Sequence, residues 1–394
     1  MLNAQDRLRR ELRGVTNKAV ETLVASGFQG RDDIEDVIRS NRDGRKMLTA
    51  LLDVSDDELK SMMAWTHWPE QTGVTLSGPC PLGGVFVPDN STIVSAGSDA
   101  KAICSVRLPD HFSTTKHFQP PRNQGGIGTC TAFAAIGTLE GQLEKVDLSE
   151  RFVYYHTKLT DGHPDSDGSF LRFSVKALAD YGACRENTWS YVEDRKALRQ
   201  PPSIRAVQEA KRFRPRSAVC IAPRDDSAIR RENAAGRPVA FSVPIFSSSY
   251  NSVRFHSEGR FLMRLGINDS IAGWHAMCAV AFFDNAWLAR MGQPEAVGGG
   301  VFLVRNSWGT SWAQNNPLAK IDGAGPGYAI VPFGYIQEYC VEACTVVAPT
   351  SIRFNRNELA AMASRSGKAW WQRTTNAVVA SARERLSNSM TQER

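Results

Sequence analysis

Apolar positions recur at helical spacing along the first 66 residues. Leu8, Leu12, Val15, Ala19 and Leu23 keep a period near 3.6 and predict a first helix. Gly27 and Gly30 bracket a break. Ile34, Val37 and Ile38 begin a second helix, and Met47, Leu48, Leu51 and Leu52 a third. Ser55-Asp56-Asp57-Glu58 reads as a capping box opening a fourth, which carries Leu59, Met62, Met63 and Trp65. Residues 1–66 are thus predicted to form a small all-α domain, near the lower size at which a core supports itself. From 67 to 106, Pro69, Gly73, Gly78, Pro79, Pro81, Gly83, Gly84 and Pro88 break every period, the texture of a linker or irregular wrap.

The pattern changes from Arg107. Phe133, Ile136, Leu139, Leu143 and Val146 predict a helix whose first turn holds Cys130, and a second helix is expected over 169–181. Runs of strand length follow at 237–245, 275–283, 300–305, 327–331 and 343–348. Helices first and strands after predict an α+β domain rather than a doubly wound sheet. The glycines at 298–300 read as a loop before a strand, because no phosphate-binding glycine motif stands in the right context. Residues 350–394 form a basic tail. From 351 onward it holds eight Lys/Arg against three Glu, a net +5 of the chain's +6. Trp371, Val378, Ala382 and Leu386 fit one helical face there. Packing on its own body is the expected role of such a helix, ahead of contact with a membrane surface.

Hydrophobic residues at 42% and charged residues at 22% of 394 support a sizeable core and exclude global disorder. A charge of +6 is mild, so no nucleic-acid partner is expected. The start, MLNAQDRLRRELRG, lacks an apolar core, and no run of 18 uncharged apolar residues exists. Neither a secretory signal nor a transmembrane segment is therefore expected. The eight cysteines are scattered and include no CxxC pair, which argues against a disulfide framework. Cys340 and Cys344 lack a second ligand pair, so no metal is expected there. Together these features predict a soluble protein in a reducing, cytoplasmic setting.

Residues 122–134, RNQGGIGTCTAFA, place Cys130 among small residues at the start of a predicted helix. Packing is one reading, since cysteine is often buried. Nucleophilic chemistry is the other, because a helix N-terminus and an imidazolium both favour the reactive thiolate. Of His67, His111, His117, His156, His163, His256 and His275, only the last opens an apolar strand, HAMCAVAFF. A third group must orient the ring. Asn306 ends a strand and is followed by Trp308, an amide to accept the ring N–H and an indole to shield that bond.

The ordered run Gln124-Gly125-Gly126-Ile127-Gly128-Thr129-Cys130-Thr131-Ala132-Phe133, with His275-Ala276, the Asn306-to-Thr310 stretch NSWGT and Gly327-Tyr328, resembles the papain family of cysteine peptidases. The resemblance spans roughly 107–349, and DGSFLRFSVKALADYGACRENTWSY at 167–191 is similar to bacterial members. It implies a papain-like two-lobed fold, a helical left lobe and an antiparallel β right lobe, preceded by the small all-α domain. It implies Cys130 as nucleophile, His275 as acid and base, Asn306 as its orienter and Gln124 as an oxyanion donor. Trp308 would shield the His–Asn bond, Gly168 and Ser169 would border the cleft, Ala276 its pocket floor, and Trp274 would narrow it. The substrate would be a protein or peptide, and no cofactor is implied.

Three residues depart from the family pattern. Ile127 stands where the family has its first cysteine, Thr131 where it has tryptophan, and Trp274 directly before the histidine. The N-terminal helices also lack the spaced pattern of the family's common inhibitory propeptide. They are read either as a pro-segment or as an adaptor that recruits a protein partner in a conflict or defence system. The alternative to an enzyme is a catalytically inactive papain-fold scaffold.

Overall fold

The computed structural model describes residues 3–40, 44–63, 108–163 and 166–349. The expected linker of 67–106 and the expected basic tail of 350–394 lie outside them. Among the described residues, five helices open the chain: α1 Ala4–Glu11, α2 Asn17–Ala25, α3 Arg31–Ser40, α4 Gly44–Leu52 and α5 Asp56–Met62. The sequence pattern predicted α1 and α2 as one helix. Gly14 breaks it with φ 62, a left-handed conformation natural to glycine, and Thr16 then caps α2 by accepting from Ala19 N–H. The period survives the break because both helices turn their apolar stripes to one core. α5 starts at the expected box, with the Ser55 and Glu58 side chains each accepting from the other's backbone N–H.

The helical segment shares its core with the rest of the chain. Leu8, Leu23, Phe28, Val37, Leu48 and Leu59 pack together with Leu262 and Leu265. Polar anchors lie around this contact. Met263 N–H donates to Ser26 O at 3.2 Å, Arg260 Nη1 to Gln29 Oε1 at 2.8 Å, and Arg254 pairs with buried Asp33. Asp36 on α3 accepts from Ser252 Oγ and, at 3.1 and 3.3 Å, from the N–H groups of Val253 and Arg254. It therefore caps the short helix Val253–Glu258 from a distant part of the chain.

The first three helices of the body, α6 Cys130–Glu140, α7 Glu150–Lys158 and α8 Leu171–Tyr181, pack on one another; shorter helices follow among the strands of a largely antiparallel sheet. Its strands are β1 His111–Ser113, β2 Ser217–Ile221, β3 Val239–Phe246, β4 Ile271–Asp284, β5 Gly300–Arg305, β6 Tyr328–Pro332 and β7 Glu342–Val347. Their order is β2-β7-β3-β4-β5-β6, with β1 added against β4. β1 and β2 were not predicted: three residues in one, and in the other a mostly exposed SAVCI, give too little alternation. β3 is wholly buried and β4 is buried from His275 to Phe283, so those stretches read as continuous apolar runs.

α6 is the hub. All its residues are buried, and it lies across β4 and β3. Such all-round burial needs small residues at the closest approaches. A Cβ on Gly137 would stand 3.0 Å from Cys278 Cβ, which is tighter than ordinary contact. Thr131, where the family pattern has tryptophan, joins a buried hydroxyl chain: Ser174 Oγ donates to Thr131 Oγ1 at 2.8 Å and Thr157 Oγ1 to Ser174 Oγ at 3.2 Å. The hydroxyl chain thus ties α6 to α8 and α7.

Candidate active site

Two segments far apart in sequence pair to frame the site. Gln124 N–H donates to Ser307 O at 2.8 Å, Gly309 N–H to Arg122 O at 3.1 Å, and Asn123 bridges Trp308 in antiparallel fashion. The loop that leads to Cys130 and the loop that carries Asn306 are therefore positioned by one short ladder. Arg122 anchors this ladder to α7, donating to Glu150 Oε2 at 2.6 Å and Leu148 O at 2.8 Å. The turn beyond it requires glycine: Gly125 has φ 64, and a Cβ there would collide with the Glu193 carboxylate. Glu193 accepts from Gly126 N–H, and Tyr191 Oη donates to Gln124 O at 2.7 Å.

Cys130 is the first residue of α6, and Thr129 before it makes no side-chain cap. The helix's opening N–H groups are left to the sulfur: those of Cys130 and Thr131, with that of Ala276 from β4, favour its thiolate by hydrogen bonding. His275 lies next to Ala276 on β4, in register with Val243 of β3. Its Nε2 donates to Asn306 Oδ1 at 2.7 Å, and that oxygen also accepts from Ser307 N–H at 2.8 Å. Because Nε2 carries the proton, the neutral ring keeps its lone pair on Nδ1. That Nδ1 is buried and makes no hydrogen bond. Trp308 stacks on the ring with centroids 4.6 Å apart and planes 23° from parallel, covering the His–Asn bond. Trp312 and Phe255 back Trp308 edge-on.

Gln124 is fully buried. Its Oε1 accepts from Ser307 Oγ, and one N–H of its amide donates to Ile127 O at 2.9 Å. An amide nitrogen has two protons, so a second remains for another acceptor.

Cys130 and His275 each have 0% of their surface exposed. Burial pushes the Cys130 thiol up to about 12, against the pull of the three N–H groups, and the His275 imidazole down to about 4, against the bond to Asn306. Burial thus favours the neutral thiol and the neutral imidazole, and water or substrate entering the site would favour their charged forms.

The structure brings Cys130, His275, Asn306, Gln124, Trp308 and the Ala276 N–H together. Ala276 thus stands at the sulfur through its backbone. Trp274 is half-buried on β4 opposite Pro244, and strand alternation turns it to the other face from His275. Gly168 and Ser169 lie just before α8, Gly168 with φ 80 and its carbonyl accepting from Lys158 Nζ at 3.0 Å. Ser307, Arg122, Tyr191 and Glu193 were not predicted. Ser307 was legible inside NSWGT, whereas the others act through contacts 25 to 67 residues away that no local pattern announces.

The sequence model described as "Papain family cysteine protease" matches residues 108–321, more than half of the chain. The chain belongs to that family. An uncharacterized peptidase C1-like protein of Acanthamoeba polyphaga mimivirus is 28% identical over 230 residues, 55% of this chain and 65% of that protein. Cathepsin K of Gallus gallus is 24% identical over 268 residues, 66% of this chain and 67% of that one. The chain thus spans about two thirds of the length of these relatives. Among solved structures, xylellain, a cysteine protease from Xylella fastidiosa, is similar with a TM-score of 0.53 at 20% identity, over 69% of this chain and 97% of the other. At that identity the likeness shows the fold, a papain-like α+β architecture with helices preceding it.

Proposed function

We propose that this protein is a cysteine endopeptidase hydrolysing peptide bonds through a thioester on Cys130. The observation that carries the reading is the His275–Asn306 bond, which leaves the Nδ1 lone pair for the thiol of a residue at the start of α6. His275 Nδ1 takes the thiol proton as the sulfur attacks the scissile carbonyl. The second Gln124 amide proton and the Cys130 N–H receive the oxyanion. His275 then protonates the leaving amine, and afterwards takes a proton from water that attacks the thioester. Asn306 keeps the ring in its tautomer through both half-reactions. The substrate is a protein or peptide, and the setting we favour is reducing and cytoplasmic.

Control is assigned to the N-terminal helices, which regulate or recruit the peptidase. Their shared core with Leu262 and Leu265 and the Asp33–Arg254 pair support this, since they give the helices a defined seat on the body. A peptide-epoxide inhibitor and a fluorogenic peptide test the first part. Covalent labelling at Cys130 with turnover is expected, and a protein that neither labels nor turns over is the scaffold instead. Comparing the full chain with a form starting near residue 70 tests the second. Equal activity with loss of a binding partner marks an adaptor, and a rise by orders of magnitude marks an inhibitory segment.

A further inference from the structure

Away from the site, two cysteines face each other across the sheet. Cys220 of β2 and Cys344 of β7 are register partners in antiparallel strands. Directly opposed residues in such strands have Cα atoms roughly 4.5–5.5 Å apart, inside the span that a disulfide bridges. Their sulfurs are 4.0 Å apart, with the Cys344 thiol donating to Cys220. β2 is the end strand of the sheet, and it leaves Cys220 exposed while Cys344 is buried. None of the other described cysteines, Cys130, Cys184, Cys278 and Cys340, has a cysteine as its register partner.

We propose that Cys220 and Cys344 form a reversible oxidation site, which hydrogen peroxide closes to a cross-strand disulfide. The Cys220 thiolate attacks one peroxide oxygen. The O–O bond breaks, a sulfenic acid forms on Cys220, and the departing hydroxide takes up a proton as water. The Cys344 thiol then attacks the Cys220 sulfur, losing its proton. The S–O bond breaks, the S–S bond forms, and a second water leaves. Two thiols have lost two electrons and the peroxide has gained them. A dithiol reductant reverses the bond by exchange.

The neighbourhood divides the roles. The hydrogen bond from Cys344, with the nearby Arg172 guanidinium, holds the Cys220 thiol below its ordinary range despite burial and the Glu342 carboxylate. Cys344 is held up by the same hydrogen bond and by burial. The exposed thiol is thus the attacking group and the buried one the resolving group. β2 has a strand neighbour on one side only, so the sulfurs can close the remaining gap without opening the sheet interior. The bond would staple β2 to β7, whose Glu342 accepts from Leu171 N–H at 2.8 Å and pairs with Arg172 at the start of α8.

The test uses the full chain carrying Cys130→Ala, so that the active-site thiol is silent. The protein is treated with hydrogen peroxide, unfolded, alkylated and mapped by mass. The expected result is a monomer with a linked Cys220–Cys344 peptide, lighter by two hydrogens and restored by dithiothreitol. With Cys344→Ser added, oxidation should stop at a sulfenic acid on Cys220 that dimedone traps. Alkylation of both thiols after peroxide treatment, or a disulfide joining two chains through Cys220, would overturn the proposal.

Discussion

Helix α1 buries two of its eight residues, while α6 buries all eleven. The N-terminal segment is built of helices like the first and the body is organised around the second. A helix with one apolar stripe needs one neighbouring surface, and most of the core around α1 forms from residues close in sequence. A helix buried all round must be enclosed by elements from elsewhere, and the spacing of Phe133, Ile136 and Leu139 shows the helix but not what encloses it. The contrast extends to their polar groups. The helical segment uses buried or half-buried charges, Asp33 and Asp36, to hold its seat on the body. The body ties its buried polar groups to one another, His275 to Asn306 and Gln124 to Ser307. The same burial serves attachment between regions in one case and a local side-chain network in the other.

The largest expected separation of the two regions is chemical. Cys130→Ala should lower peptide hydrolysis by about 10⁴-fold or more. Its melting temperature should stay near that of the native chain, because only a sulfur is lost. Measurable turnover near the native rate would place the nucleophile elsewhere. Gln124→Ala should reduce kcat by roughly 10²–10³ with KM little changed, the usual loss for one oxyanion donor. Unaltered kcat would mean that its second amide proton does not meet the reacting carbonyl.

A pH series sharpens the comparison. His275 is depressed to about 4 in the folded chain, so the unfolded chain binds more protons between that value and about 6.5. Stability from this group is present above pH 6.5 and is lost as pH falls to 4, by about 3 kcal/mol. His275→Gln lacks this titration. Denaturant melts at pH 7 and pH 4.5 should therefore show the variant gaining on the native chain in acid; a constant difference would show that the ring is not buried and neutral.

Smaller effects are expected at the seat of the helices. Leu262→Ala removes a buried side chain from the shared core and should cost about 2–3 kcal/mol, read by hydrogen exchange as faster opening of α1–α5. Protection lost equally across the body would mean that the two regions unfold as one. Asp36→Ala deprives the helix Val253–Glu258 of its tertiary cap and should cost about 1 kcal/mol, with kcat unchanged. Exchange confined to α3 alone would show that the cap does not order the body's side of the contact.

Much of the fold was legible in short stretches. The capping box at Ser55, the start of α6 at Cys130, and five of the seven strands were visible because each rests on local pattern. The break at Gly14 was not, because the apolar spacing carries through it. The four candidate site residues could be proposed from their motifs, in chain order, but their geometry could not.

The amino-acid order by itself determined the helical stripes of α1–α5, the apolar runs of β3–β7, and which thiol, imidazole and amides are candidates for chemistry. These follow from side-chain type and period, which are local properties. Only the tertiary structure decided that Leu262 and Leu265 complete the helical core, that Arg122 and Glu193 brace the loop before Cys130, and that Cys220 meets Cys344. Each depends on strand register or packing between segments distant along the chain. Register is set by the whole sheet's need to bury one set of faces, so no window of sequence contains it.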